Sequence, residues 1–219
     1  MNTNTVLVAT DLYKSFGRRE VLKGAKLTVS SGSCVGIIGG NGCGKTTLLS
    51  ILAKTVRADK GQILMENENA AAYVPQENPL IEELTVRDNL LLWYKGNKKA
   101  MKEDLETGAA ALLGVKPMMK RTVGELSGGM KKRISIACAL ANHARLLILD
   151  EPGAALDMEC KADIRRYLKQ YMERGGAVIL TSHEIGELSV CTQMYVLKHG
   201  RLEPLEGHLS ERELIFAMQ

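Results

Sequence analysis

Val35-Gly36-Ile37-Ile38-Gly39-Gly40-Asn41-Gly42-Cys43-Gly44-Lys45-Thr46-Thr47 is the stretch that decides the fold. Gly39 to Thr46 has the G-x-x-x-x-G-K-[ST] spacing of a phosphate loop. Val35 to Ile38 is a short apolar run, which predicts a strand of a parallel sheet buried on both faces. Lys45 to Ala53 predicts the helix that follows. Glycines let the backbone curl until several N–H groups point at one anion, and the helix N-terminus adds the positive end of its dipole. Lys45 is placed to reach β- and γ-phosphates. Thr46, with Thr47 beside it, offers a hydroxyl to Mg²⁺.

Two further apolar runs extend the pattern. Leu146 to Leu149 ends at Asp150-Glu151-Pro152, and Ala177 to Thr181 ends at Ser182-His183. Between them Ile164, Tyr167, Leu168, Tyr171 and Met172 recur at helical spacing, with charges on the opposite face. Gly175-Gly176 supply the stop. Strand, helix, strand in this order predicts right-handed crossovers and a parallel α/β core. Residues 85–143 read differently. Val86 to Tyr94, Met101 to Leu113 and Lys131 to Asn142 are helical by pattern, which predicts a helical lobe inserted into a core of about 1–84 and 144–219. Strand-like pieces at Val6-Leu7-Val8, Leu27-Thr28-Val29, Ile63-Leu64 and Ala72-Tyr73-Val74 are expected to form a small antiparallel sheet. Ser210-x-x-Glu213 reads as the capping box of a last helix.

Composition narrows the class. The 219 residues are 45% hydrophobic and 25% charged, as in ordinary globular proteins, which excludes disorder and fibrous folds. The net charge of +4 is too mild to argue for nucleic acid, and two Phe and one Trp give little to stack single strands on. No stretch reaches the roughly 18 apolar residues of a membrane span. No leader segment is visible. Five cysteines without a close pair, and four scattered His, argue against a disulfide framework or a metal cluster and for a reducing cytosol.

Three motifs add chemistry to the loop. Asp150-Glu151 is a carboxylate pair at a strand end, suited to one acid holding Mg²⁺ and one polarising water. His183, just past the next strand, can contact a γ-phosphate from the far side; His143, His199 and His208 have no such context. Leu126-Ser127-Gly128-Gly129-Met130 precedes a helix. Ser127 can cap it, and the two glycines leave backbone N–H groups bare, a second anion-binding helix end. One chain carries one phosphate loop, so this second end needs a nucleotide held elsewhere. A dimer with two shared sites is the simple solution.

In this order and spacing, the four elements resemble the nucleotide-binding subunit of ABC transporters, from about Ala9 to Gly207. The Leu126–Gly129 signature, followed some 20 residues later by Asp150-Glu151-Pro152, is the specific part. The resemblance implies a P-loop NTPase core with a parallel sheet, an antiparallel β-subdomain and an inserted α-helical subdomain, within one domain of residues 1–219. It implies ATP and Mg²⁺ as cofactors, and Mg²⁺ held by Thr46, Gln76 and Asp150. It places Phe16 under the adenine, with Tyr13 as fallback, and Gln76 where it couples to the membrane partner. It sets Ala155-Leu156-Asp157 across a dimer interface. It further implies a head-to-tail dimer of like or unlike subunits. ATP then lies between the loop Gly39 to Thr47 of one subunit and Ser127-Gly128-Gly129 of the other, with Glu151 as general base and His183 on the γ-phosphate. Separate transmembrane permease subunits follow, with the chain cytoplasmic and peripheral on the inner face of the membrane, and with no nucleic-acid partner.

Departures from the family pattern are visible. Met130 replaces a common glutamine, Gly40 a frequent proline and Ala154 a usual serine. The stretch Gly61 to Gln76 is short, so a small sheet is expected. Ser-Gly-Gly-Met-Lys-Lys-Arg is similar to the export-type branch, which tilts the expectation toward an exporter. The competing reading is a nucleotide-dependent ATPase or regulatory module not tied to transport. Cys43, inside the loop and near Lys45 and a helix N-terminus, has the setting of a reactive thiol; a small side chain filling a small space is the plainer reading.

Overall fold

The computed structural model describes residues 4–65 and 71–205. Two long strands open the chain, β1 (Thr5–Phe16) and β2 (Arg19–Ser30), joined by a turn in which Gly17 takes φ 60°. With β4 (Lys60–Met65) they form an antiparallel sheet in the order β2-β1-β4. The second sheet contains β3 (Cys34–Ile38), β5 (Ala71–Val74), β6 (Leu146–Asp150), β7 (Ala177–Thr181), β8 (Gln193–Lys198) and β9 (Arg201–Leu205). Its order is β5-β6-β7-β3-β8-β9, parallel except for the antiparallel edge pair β8–β9.

Every residue of β3, β6 and β7 is buried. The alternation of a strand sends successive side chains to opposite faces. One face carries Cys34, Ile38, Leu147, Leu149, Val178 and Leu180 into a core shared with the helices. The other carries Val35, Ile37, Leu146, Ile148, Ala177 and Ile179 into a core shared with the antiparallel sheet. Helix α1 (Lys45–Leu52) buries Leu48, Leu49, Ile51 and Leu52 in this second core. The sheet is thus covered on both sides, as a parallel sheet must be.

Between β5 and β6 come α2 (Val86–Trp93), α3 (Lys98–Thr107), α4 (Ala109–Leu112) and α5 (Gly128–Ala139). After β6 come α6 (Met158–Glu173), which buries Ile164, Tyr167 and Leu168, and the short α7 (Ile185–Leu188). Gly175, at φ 85°, follows α6 as its stop.

Three expectations need correction. Ala72-Tyr73-Val74 does not join the antiparallel sheet; it lies on the edge of the parallel one, paired with β6. The helix read over Met101–Leu113 is broken at Gly108. There the Asp104 carboxylate accepts from the N–H groups of Ala109 (2.8 Å) and Ala110 (2.9 Å) and so caps a new helix. A Cβ on Gly108 would overlap that carboxylate. The helix read from Lys131 begins at Gly128, because Ser127 caps it there. The C-terminal capping box lies outside the described residues. No helix among the described residues is long and apolar enough to cross a membrane.

Asp104 is buried, and its two bonds start α4. Asp104→Ala is expected to lower stability by about 1–3 kcal/mol, because two N–H groups lose their acceptor. The measurement is the urea midpoint at unchanged slope. Asp104→Asn, which keeps one acceptor, should lose less; equal midpoints for all three proteins would refute the capping role.

Candidate active site

The loop after β3 depends on glycine at two close approaches. A Cβ on Gly39 (φ 154°) would sit 2.7 Å from the Leu197 carbonyl oxygen and 2.8 Å from Cys43 Sγ. A Cβ on Gly44 (φ 112°) would sit 2.6 Å from Val21. Gly44 precedes α1 with no side-chain cap, so the first N–H groups of that helix face the loop unclaimed by a side chain. Lys45 is buried, and its ammonium donates to the carbonyls of Gly39 (2.8 Å) and Gly40 (3.3 Å). An ammonium has three donors, so one remains for an incoming anion. Arg19 donates to the Gly42 carbonyl at 2.7 Å and ties the loop to the β1–β2 hairpin.

In front of the loop lies a cleft of about 400 Å³. Phe16, Arg19 and Val21 line it from the hairpin, and Asn41, Gly42, Gly44, Lys45, Thr46 and Thr47 from the loop; Gln76 and Glu151 close it. Phe16 is 54% exposed, with the Lys14 ammonium 5.3 Å from its ring centre. Lys14 is itself held by Asp59 at 2.9 Å. Tyr13, the fallback aromatic, does not line the cleft; its ring packs over Gly24. Gly40 and Cys43 line an adjoining cavity behind the loop.

Both carboxylates sit at the C-terminal end of β6, beside the end of β7. Asp150 is buried and accepts from the Thr181 hydroxyl at 2.7 Å. The same hydroxyl oxygen accepts from the Glu151 backbone N–H at 3.0 Å. One threonine therefore fixes both acids. Glu151 takes φ 45°, a left-handed conformation costing a non-glycine residue on the order of 1 kcal/mol or more. This turn aims its side chain at the cleft. Gln76 Nε2 lies 3.3 Å from one carboxylate oxygen of Glu151, and His183 Nε2 lies 3.0 Å from the other. Thr46, Gln76 and Asp150 offer hydroxyl, amide and carboxylate oxygens, the hard donors that suit Mg²⁺. Among the described residues no three His, Cys, Asp or Glu side chains form a metal cluster. A Mg²⁺ held by one carboxylate together with hydroxyl, amide, phosphate and water oxygens needs none.

Behind this cluster, Ser182 donates to Glu187 at 2.5 Å and accepts from the Glu184 N–H. Burial raises the Glu187 carboxyl above its ordinary range, against the Ser182 hydrogen bond. Burial also pushes Lys132 down to about 8, while the Asp150 and Glu187 carboxylates act the other way.

Ser127, Gly128, Gly129 and Asp157 do not line the cleft. Ser127 accepts from the Met130 N–H and caps α5. Asp157 caps α6 through the Cys160 N–H at 2.7 Å, and these hydrogen bonds hold its carboxyl below the usual range. A Cβ on Gly129 would overlap Cys160, so the start of α5 packs directly on α6. Sequence reading missed Arg19, Val21 and Thr181. Arg19 and Val21 reach the loop from the β1–β2 hairpin, a contact between distant elements that carries no motif. Thr181 was legible as the polar end of an apolar strand.

Residues 22–154 match the ABC transporter family. The chain belongs to that family and is an ATP-binding, ATP-hydrolysing subunit of it. It is 37% identical over 210 residues to the Nod factor export ATP-binding protein I of Rhizobium sp. (strain N33), covering 89% of this chain and 69% of that protein. It is 31% identical over 214 residues to the lipopolysaccharide export system ATP-binding protein LptB of Haemophilus influenzae, covering 90% and 89%. Against an aliphatic sulfonates import ATP-binding protein of Shouchella clausii the identity is 31% over 205 residues, covering 92% and 81%. The crystal structure of an ATP-binding cassette of an ABC transporter in its ADP conformation superposes with TM-score 0.82 at 25% identity, over 97% of this chain and 94% of that one.

Thr181→Val removes the hydroxyl at nearly constant volume. Turnover is expected to fall about tenfold or more, because Asp150 and Glu151 lose a shared anchor, while ATP affinity without Mg²⁺ stays within about twofold. Wild-type turnover would refute the anchoring role. Alkylation of Cys43, whose sulfur lies inside the loop, is expected to abolish ATP binding and to be slowed by prior ATP. Cys43→Ser should bind ATP and resist the reagent; undiminished binding by fully labelled wild type would contradict this.

Proposed function

We propose that this chain is a single nucleotide-binding domain, residues 1–219, that powers an export-type ABC transporter through ATP-driven dimerisation. Its core is about 1–84 and 144–219 and its helical lobe about 85–143. The observation that carries the reading is the meeting of Gln76, Glu151 and His183 beside the phosphate-loop cleft, with Asp150 buried next to them. Phe16 takes the adenine. The loop Gly39 to Thr47 takes the phosphates. Thr46, Asp150 and Gln76 hold Mg²⁺, which neutralises charge on the β- and γ-phosphates. Glu151 accepts a proton from the attacking water, and His183 holds the γ-phosphate.

Ser127, Gly128, Gly129 and Asp157 stand apart from the cleft, so they serve the nucleotide of a second subunit in a head-to-tail pair. Their placement supports a shared site: Ser127 caps a helix whose first N–H groups are free to meet an anion. Ile81 and Leu92, 47% and 57% exposed, lie on the stretch that follows Gln76 and suit an apolar contact with a separate permease subunit. The chain would then sit on the cytoplasmic face of the membrane. Export is supported by the Ser-Gly-Gly-Met-Lys-Lys-Arg string and by relatives named for export of Nod factor and lipopolysaccharide; importers are also among the relatives.

The test is sizing and turnover of wild type and Glu151→Gln, with and without Mg-ATP. The variant is expected to be an ATP-dependent dimer with turnover lower by about 10²-fold or more, as for loss of a general base. A variant that binds ATP and stays monomeric when wild type does too would point to an unlike partner. Unchanged turnover would remove Glu151 as the base.

A further inference from the structure

Past Val74 the chain leaves the parallel sheet, and the carbonyls of Pro75 and Gln76 need other partners. Lys132 supplies them. Its ammonium donates to the Pro75 oxygen at 3.1 Å and to the Gln76 oxygen at 3.0 Å. Lys132 is only 3% exposed. It stands on α5 four residues after Gly128, so its Cα lies about 6 Å along the axis from the glycine start of that helix.

Two neighbours on α5 hold the rest of the same segment. Ser135 donates to Asn78 Oδ1 at 3.1 Å, and Lys131 pairs with Glu82 at 2.5 Å. The Lys131 pair is half open to solvent and contributes little. The Lys132 pair of bonds is charge-assisted and buried, the stronger kind. Three side chains of one helix face thus strap residues 75–82 to the helix that begins at the Ser127 cap. Gln76, whose backbone carbonyl is strapped, presents its amide to Glu151.

We propose that Lys132 is a positioning residue: it makes the signature helix and the Gln76 segment one mechanical unit, so that a displacement of α5 is delivered to Gln76 and through it to Glu151. The ammonium touches neither nucleotide nor water in this scheme; it acts on the backbone that carries Gln76. The part concerning Glu151 rests on the reading of the site under Proposed function. The strap itself does not, because it is made by this chain's own groups.

The test uses the full chain and begins without nucleotide. Lys132→Met keeps the length and apolar stem and removes the donors. Hydrogen–deuterium exchange of the amides of residues 76–82 is expected to quicken about tenfold or more, with α5 and β6 protected as in wild type. Lys132→Arg, which keeps a buried cation with several donors, should restore most of the protection. Turnover of the same proteins with Mg-ATP should show kcat lowered about tenfold in Lys132→Met, KM for ATP within about twofold, and partial recovery in Lys132→Arg. Wild-type exchange over 76–82 in Lys132→Met would overturn the strap. Faster exchange spread across α5 and β6 would reduce Lys132 to general packing and overturn it equally. Faster exchange confined to 76–82 with unchanged kcat would overturn the coupling. Should Lys132→Met fail to fold, Lys132→Leu, which also lacks donors and has a shorter stem, carries the same expectations. The nucleotide-free exchange reads the strap even if Glu151→Gln shows that Glu151 is not the base.

Discussion

Parallel register is the constraint on which the rest of the molecule depends. Asp150 pairs with Thr181, Thr181 with Ile37, and Ile37 with Tyr195, so four strands reach one row together. One row earlier, Val74, Leu149, Leu180 and Gly36 stand level. Parallel strands all run out at the same edge. The residues just past those ends are Gly39, Gln76, Glu151 and His183, far apart in sequence and adjacent in space. No loop has to travel to bring them together. The crossovers that parallel pairing demands do the travelling, over the faces of the sheet and back to its opposite edge.

The same register explains how two acids with different surroundings arise from consecutive residues. Asp150 is the last residue of β6 and stays within the ladder, buried and bonded to Thr181. Glu151 is the first residue outside it, turned by its left-handed φ toward the cleft. A strand alternates faces, but it takes a change of backbone conformation to send the next side chain along the strand axis and out of the sheet. The polar end of β7 makes that change affordable by holding the Glu151 N–H.

Much of this was legible in the sequence, for identifiable reasons. β3, β6 and β7 are fully buried and read as unbroken apolar runs, with β7 matched to the residue. α6 is half-buried and shows its stripe. Legibility failed where local pattern is silent about partners. Ala71–Val74 is four residues of small and β-prone side chains, which fit either sheet; only pairing with β6 decides. The break at Gly108 is invisible to periodicity, because Asp104 and Ala109–Leu112 both fit a continuous helix. β8 and β9 carry no clear apolar run, since their edge position mixes polar and apolar residues. The start of α5 is hidden by two glycines, which are poor helix formers, although the serine cap beside them marks the boundary. Around the cleft, Arg19 and Thr181 carry no motif and gain their places from what lies beside them.

The sheet's two faces belong to two different cores, one shared with the helices and one with the antiparallel hairpin. A slip of a single residue in β3, β6 or β7 would exchange the side chains offered to both cores at once. Each strand is therefore checked twice for register, by two unrelated sets of neighbours. An insertion inside these strands would be rejected from both sides. The turns at the opposite edge of the sheet, such as residues 143–145 and 174–176, lie where an added reporter group would leave the phosphate-loop edge in place. That geometry separates the surface that can be instrumented from the surface that must not shift.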